Sequence, residues 1–524
     1  MYRCAPLVSL LLACTPGGDA SVVKQQPPAS PVAPAPVAPP PAPPPAGWAV
    51  RLGGGDFDAV SPVAVTRAGE TLVLTWGSDD LAVENPEAGA LPAGRGVHLV
   101  RIGPQGELRG VNRVGDGFHV ESAVATEDGG MTIAGIHHER ASFTGIGERD
   151  VPAGERRSEG NAVFPDAFVA RVRPNGEVAW LRAFTGAEDQ HLEHVVALPG
   201  GDVVVAGAFG RDGVLDDGAG GLKIVTLDRS RDLQWDVVLA RFSGDGALRW
   251  ARVVGGPRTD AIRGLDVLPD GNLALLGLCT GAARLARSGG VTPLDCDPAA
   301  TVVFVAVYTP DGEVVRARAY PEAQLGDPSD FAALSDGGVV IGGTFRGTLT
   351  LADGRTITSD QFFDGFVARL AADGEIGWLR HLRGPRSTGA DAVAGDHDGG
   401  VWVWTSAEDN LAVGDGATYE QPLPRSGLDA VLLHFDRAGK LVSASLQGGK
   451  PAAQNLGDGA IDPMLGEVRA HDILVAPDGG LRLAGLFSVD VMLTDGEARH
   501  HLRTVDLRRA LHLDGFVAAF PPRE

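Results

Sequence analysis

The chain has 524 residues, a formal net charge of -22 at pH 7, 44% hydrophobic residues, 73 glycines and 36 prolines. That length is too great for one ordinary domain unless the fold repeats. The acidic surplus repels nucleic-acid phosphates and anionic headgroups and reads most simply as a solubility device. Apolar residues come in short runs broken by Gly, Asp and Pro, the punctuation of strands and turns rather than of long helices.

Residues 1–14 read MYRCAPLVSLLLAC. Arg3 precedes an apolar run too short to span a bilayer but suited to the core of a signal peptide. Leu11-Leu12-Ala13-Cys14 resembles the bacterial lipobox, which implies lipidation of Cys14 as the mature N-terminus. By the same resemblance, Thr15 in place of Asp directs the product to the outer membrane. Residues 15–46 have no apolar periodicity, and Pro27 to Pro45 holds eleven prolines. Such a stretch favours extended polyproline II and reads as a disordered or semi-rigid stalk between anchor and head.

From residue 47 onward the chain repeats itself. DAFVARVRPNGEVAWLRAF begins at Asp166 and DGFVARLAADGEIGWLRHL at Asp364, with weaker copies at Val97, Asp236, Val302 and Asp429. Each is two strands joined by a turn glycine, at Gly106, Gly176, Gly246, Gly312, Gly374 and Gly439. A second hairpin accompanies each, with turn glycines Gly69, Gly129, Gly201, Gly271, Gly337, Gly399 and Gly479. These seven are spaced 60 to 80 residues apart. Two hairpins per unit make a four-stranded blade, so 47–524 reads as an all-β, seven-bladed β-propeller. The last unit stops after Asp514-Gly515-Phe516-Val517-Ala518-Ala519-Phe520, and its missing strand stands at the start as Trp48-Ala49-Val50-Arg51-Leu52. The N-terminal strand is therefore expected to pair with the C-terminal one and close the ring. Trp48, Trp180, Trp250 and Trp378 share one place in the outer strand, where Gly110, Arg316 and Ser443 stand in other units. The tryptophans are expected to pack between blades.

The FVAR…DGE…W unit is similar to the bacterial seven-bladed β-propeller repeat lipoprotein family (SBBP-like repeats), over about residues 47 to 520. The resemblance implies the fold and leaves function open, since propellers host many unrelated activities.

With strands A to D numbered from the channel outward, the glycine turns share one face. The B–C and D–A connections share the other, and the insertions gather there, at 77–96, 137–165, 209–234, 406–427 and 447–470. Any site is expected on that face. His119, His137, His138, His191 and His194, with Glu139, Asp189 and Glu193, fall in one wedge of it. Imidazole and carboxylate suit zinc or a similar divalent ion, though the spacing matches no short metal motif and solvated loop histidines are the plainer reading. Asp58, Asp260, Asp330, Asp391 and Asp472 recur near the inner strands but at unequal distances from the turn glycines. They read as caps of turn amides rather than as a ring. Cys279 and Cys296 could form a disulfide in an exported chain, free thiols being the alternative.

No nucleophile elbow, Walker loop, HExxH or EF-hand loop occurs. The leading expectation is a non-enzymatic binding scaffold on the cell envelope that contacts a protein or glycan through the loop-rich face, with the membrane reached only through the lipid. The alternatives are a carbohydrate-active or other enzyme at the channel mouth, and an outer-membrane assembly factor resembling the eight-bladed quinoprotein-like propellers.

Overall fold

The computed structural model describes residues 47–53, 59–77, 81–85, 89–137, 140–146, 164–186, 188–227, 235–297, 300–321, 325–350, 354–359, 362–385, 387–408, 410–416, 419–423, 428–448, 468–488, 490–494, 499–503 and 513–522. Cys14, the leader, the proline-rich stretch, Asp58, His138, Glu139 and most of the 447–470 insertion lie outside them. All regular structure among the described residues is β.

Seven antiparallel blades run A-B-C-D. Blade 2, for example, is His119–Ala125, Met131–His137, Asp166–Val172 and Val178–Gly186. In blade 7 the order is Val468–Val475, Leu481–Phe487, Asp514–Phe520 and then Trp48–Gly53 from the other end of the chain. Its closing register runs from Trp48 opposite Ala519 to Leu52 opposite Gly515. Arg51 Nε adds a 2.8 Å bond to Asp514, with both side chains buried.

The core lies between blades rather than within them. Seven apolar clusters are present, each drawn from two neighbouring blades, one for each interface of the ring. The outer strands pin these interfaces. Trp48, Trp180, Trp250 and Trp378 each donate an indole N–H to a carbonyl in the C–D turn of the next blade, at 2.9 to 3.1 Å. Asn112 and Tyr320 do the same for blades 2 and 5 from other places in strand D. The turn glycine meets the ring directly: Gly246, at φ +83°, has no room for a Cβ beside Trp180. Arg182, Arg252 and Arg380, two residues beyond their tryptophans, donate to the carbonyls of the turn glycines Gly246, Gly312 and Gly439 in the same turns.

All seven B–C connections carry short strands, and most of these join a neighbouring sheet. The pairs Ala82–Asn85/Gly89–Pro92, Asp212–Leu215/Leu222–Val225, Ala282–Arg287/Gly290–Asp295 and Leu411–Gly414/Tyr419–Leu423 extend the outer edge of the preceding blade to six strands. Strand D would otherwise present an unpaired edge, and the insertion covers it. Cys279, in strand B of blade 4, is disulfide-bonded to Cys296 just beyond that blade's insertion hairpin, with a Cα–Cα distance of 6.1 Å.

Candidate functional site: the loop-rich face

The meander places the glycine turns on one face and the insertions with the D–A connections on the other. Chemistry on the second face begins at the channel. Each inner strand of blades 1, 2, 4, 5 and 7 carries an irregularity ahead of its turn. In four of these the residue left over, eight before the turn glycine, is Glu121, Arg263, Ser329 and His471; Glu193 and Asp391 hold the same count in blades 3 and 6. A bulge re-aims its extra side chain out of the alternation of the strand. Glu121, Glu193 and Arg263 come from consecutive blades, and Glu193 lies within range of the charge of both others. Burial pushes Glu193 up to about 7, with Glu121 adding to the shift and Arg263 opposing it. Burial likewise lifts Asp391 to about 6 against its bond from Ser406.

One residue further along, Asp330 and Asp472 strap neighbouring blades together. Asp330 accepts from Val393 N–H at 2.7 Å, and Asp472 from Val63 N–H at 3.1 Å. Ser122 does the same for Val195, and Asp266 for Ala333 from a position two residues on. The amides capped belong to the next blade's inner strand rather than to turns, which corrects the role expected for Asp330 and Asp472. Asp330 is pushed up to about 7 by burial, with Asp472 and Asp266 adding their repulsion. Asp260 sits outside this group, raised to about 8 by burial and by Asp236.

Two cavities adjoin at the blade 1–blade 2 wedge. One of about 420 Å³ is lined by Trp76, Arg95, Asp116, Phe118, His119, His137 and Arg140. The other, of about 210 Å³, runs from Trp76 and His119 toward Glu121 and His471. Trp76, at the end of strand B, is 47% exposed and shared by both. A third cavity of about 620 Å³ lies between blades 4 and 5, with Arg263, Asp327, Phe345, Arg346 and Phe363 in its wall.

Of the histidines expected to bind metal, the structure brings His119 and His137 to the wall of one cavity and carries His191 and His194 on the next blade. His119 is exposed beside Glu121, 3.8 Å away. His137 is buried at the end of its strand, and His191 lies 5.4 Å from the Trp235 ring. His194 sits in the channel wall, drawn down to about 4 by burial and by Arg263. Among the described residues, no three His, Cys, Asp or Glu side chains gather as an ion would need. His119 and His191 hold equivalent places, ten residues before their turn glycines in adjacent blades, whereas His194 stands seven before its own.

One constellation has no counterpart in the sequence reading. His381, in strand Ile376–Arg383 of blade 5, is buried. Its Nε2 lies 2.8 Å from Asp364 Oδ2, and its Nδ1 lies 2.7 Å from the Tyr419 hydroxyl. Tyr419 arrives on the blade 6 insertion hairpin. Asp364 opens strand C, a place also held by Asp166, Asp236, Asp429 and Asp514, all buried. The repeated Asp was visible at the head of the units, but its partner differs from blade to blade. Asp166 takes Gly186 N–H, Asp514 takes Arg51, and Asp364 takes the imidazole.

The fold and this face define a seven-bladed β-propeller with one elaborated surface. No protein-family model matches the chain, and no curated protein matches it. Solved structures similar to it include a virginiamycin B lyase from Staphylococcus aureus, at 11% identity over 75% of this chain and 97% of that one, TM-score 0.30. A glucose dehydrogenase is similar at 14% identity over 77% and 96%, TM-score 0.28. A protein of unknown function from Bacteroides caccae is similar at 11% identity over 64% and 93%, TM-score 0.29. Likenesses this slight say nothing of what this chain binds.

Proposed function

We propose that the protein is a binding scaffold of the cell envelope that takes a glycan on its loop-rich face, in the double cavity around Trp76. The observation that carries this is the half-exposed indole shared by two adjoining cavities and ringed by Arg95, Asp116, His119 and Arg140. A sugar ring offers an apolar C–H face to an aromatic plane and a rim of hydroxyls to charged groups. A concave site with one aromatic wall and several convergent polar groups meets both demands. The lipobox-like Cys14 and the proline-rich stretch suit a head held off a membrane, and outer-membrane anchoring belongs to the same proposal. A glycan array probed with the purified protein should retain a subset of oligosaccharides. Trp76→Ala should remove that binding while leaving the β circular dichroism unchanged. Retention that survives Trp76→Ala would place the ligand elsewhere.

A second reading, an enzyme at the channel mouth, is favoured by Glu193. A carboxyl raised to about 7 beside a second carboxyl is the arrangement that lets one act as acid while the other stays ionised. Hydrolysis of an array glycan that is lost in Glu193→Gln would replace the scaffold reading with this one. The assembly-factor reading rests on the likeness of the DGEVxW phrase to propellers of eight blades, and the seven blades of this ring weigh against it.

A further inference from the structure

We propose that Tyr419 is an activated phenol, a nucleophile toward an electrophilic acyl, sulfonyl or phosphoryl centre that carries a leaving group. Its hydroxyl, the His381 imidazole and the Asp364 carboxylate form one line of hydrogen bonds, at 2.7 and 2.8 Å. The carboxylate at Nε2 takes that nitrogen's N–H as donor, so Nδ1 is left to accept the phenol proton. This is the hydroxyl–imidazole–carboxylate order that activates a nucleophile in unrelated folds. His381 is buried and fixed on a second side by Phe345, 5.2 Å between ring centres. Tyr419 is 37% exposed, so the far end of the line reaches solvent. The Arg383 guanidinium lies 5.9 Å over the phenol ring, where positive charge favours the negative charge that grows on the oxygen. The other described tyrosines are unlike it. Burial pushes Tyr320 up to about 12 and Tyr308 higher still, and neither faces an imidazole.

In the reaction the Tyr419 oxygen bonds to the electrophilic centre, the bond to the leaving group breaks, and the leaving group departs with its electron pair. The phenol proton passes to His381 Nδ1, Asp364 steadies the imidazolium, and water then removes the proton. The line is assembled from blade 5 and from a hairpin of blade 6, so it exists only in the folded ring.

Benzenesulfonyl fluoride supplies such a centre, with fluoride as the leaving group. The full-length protein is treated with it, and the rate of sulfonylation at Tyr419 is read by peptide mass spectrometry against N-acetyltyrosinamide in the same buffer. Tyr419 should react about a hundredfold faster than the free phenol, the usual yield of a positioned base. Asp364→Asn should bring it back toward the free rate in a chain that still melts cooperatively. A hydrogen bond that only tethers the hairpin protects the phenol, so a rate equal to or below that of N-acetyltyrosinamide overturns the proposal. An unchanged rate in folded Asp364→Asn overturns it too, and if that variant does not fold the wild-type comparison decides alone.

Discussion

At the scale of single residues, the ring is pinned by an outer-strand donor set against a turn in the next blade. Each indole bond is a neutral one, worth about 1 kcal/mol net, but the ring also packs on a glycine that a side chain would displace. Gly246 is held at φ +83° with Trp180 against it, so it answers to two constraints at once. Gly246→Ala should cost at least about 1–2 kcal/mol from the left-handed backbone alone, with the crowding of Trp180 added. A urea titration followed by tryptophan fluorescence checks it, and a midpoint within error of wild type would refute the packing account. The tryptophans were legible because they recur at one spacing. Asn112 and Tyr320 were not, because they do the same work two and four residues beyond that place. The Asp364–His381–Tyr419 line was invisible for a different reason. Its members converge only once an insertion hairpin has crossed to a neighbouring blade.

At the scale of elements, two joins decide whether the ring holds: the shared blade and the recruited hairpins. The shared blade was readable from complementary half-repeats at the chain ends, since a strand missing from one end and present at the other has one economical partner. The recruitment of hairpins was not. The sequence marks them as insertions with turn glycines, yet which sheet they extend depends on the free edge that the preceding strand D presents. In the shared blade, Arg51 meets Asp514 with both groups buried. Removing one member of a buried pair leaves the other charge without compensation, so Arg51→Ala should destabilise by about 3–5 kcal/mol. The loss should appear first at the closure, as faster proteolysis or hydrogen exchange of Trp48–Gly53 and Asp514–Phe520 than of blade 3. Uniform acceleration around the ring would show that the two ends do not act as its clasp.

At the scale of the whole molecule, the channel and blade interfaces hold carboxyls away from water. Asp391 is lifted to about 6, Asp166, Glu193 and Asp330 to about 7, and Asp260 to about 8, in each case chiefly by burial. A carboxyl whose folded pKa stands above its unfolded value binds its proton more tightly when folded. Its contribution is complete below the unfolded value and is lost as pH rises through the folded one. Stability should therefore increase as pH falls from 8 through this range, and relief of the net charge of -22 acts in the same direction. Three histidines oppose it. His194 is drawn down to about 4, and His98 and His471 lie below the usual 6.5, each mainly through burial. What they contribute is intact above 6.5 and is lost as pH drops below it, because the unfolded chain then takes protons that the folded one refuses. The raised carboxyls outnumber the depressed histidines, so the melting temperature should climb steeply between about pH 8.5 and 6.5 and less steeply below that. Asp330→Asn, which keeps the shape without the charge, should flatten part of the climb. Circular dichroism melts across the range give the test, and a melting temperature that is flat or falling from pH 8.5 to 6.5 would mean that the channel carboxyls are solvated in the folded ring. The slope thus reports on the channel itself, because the wall that straps one blade to the next is built from the same groups that titrate.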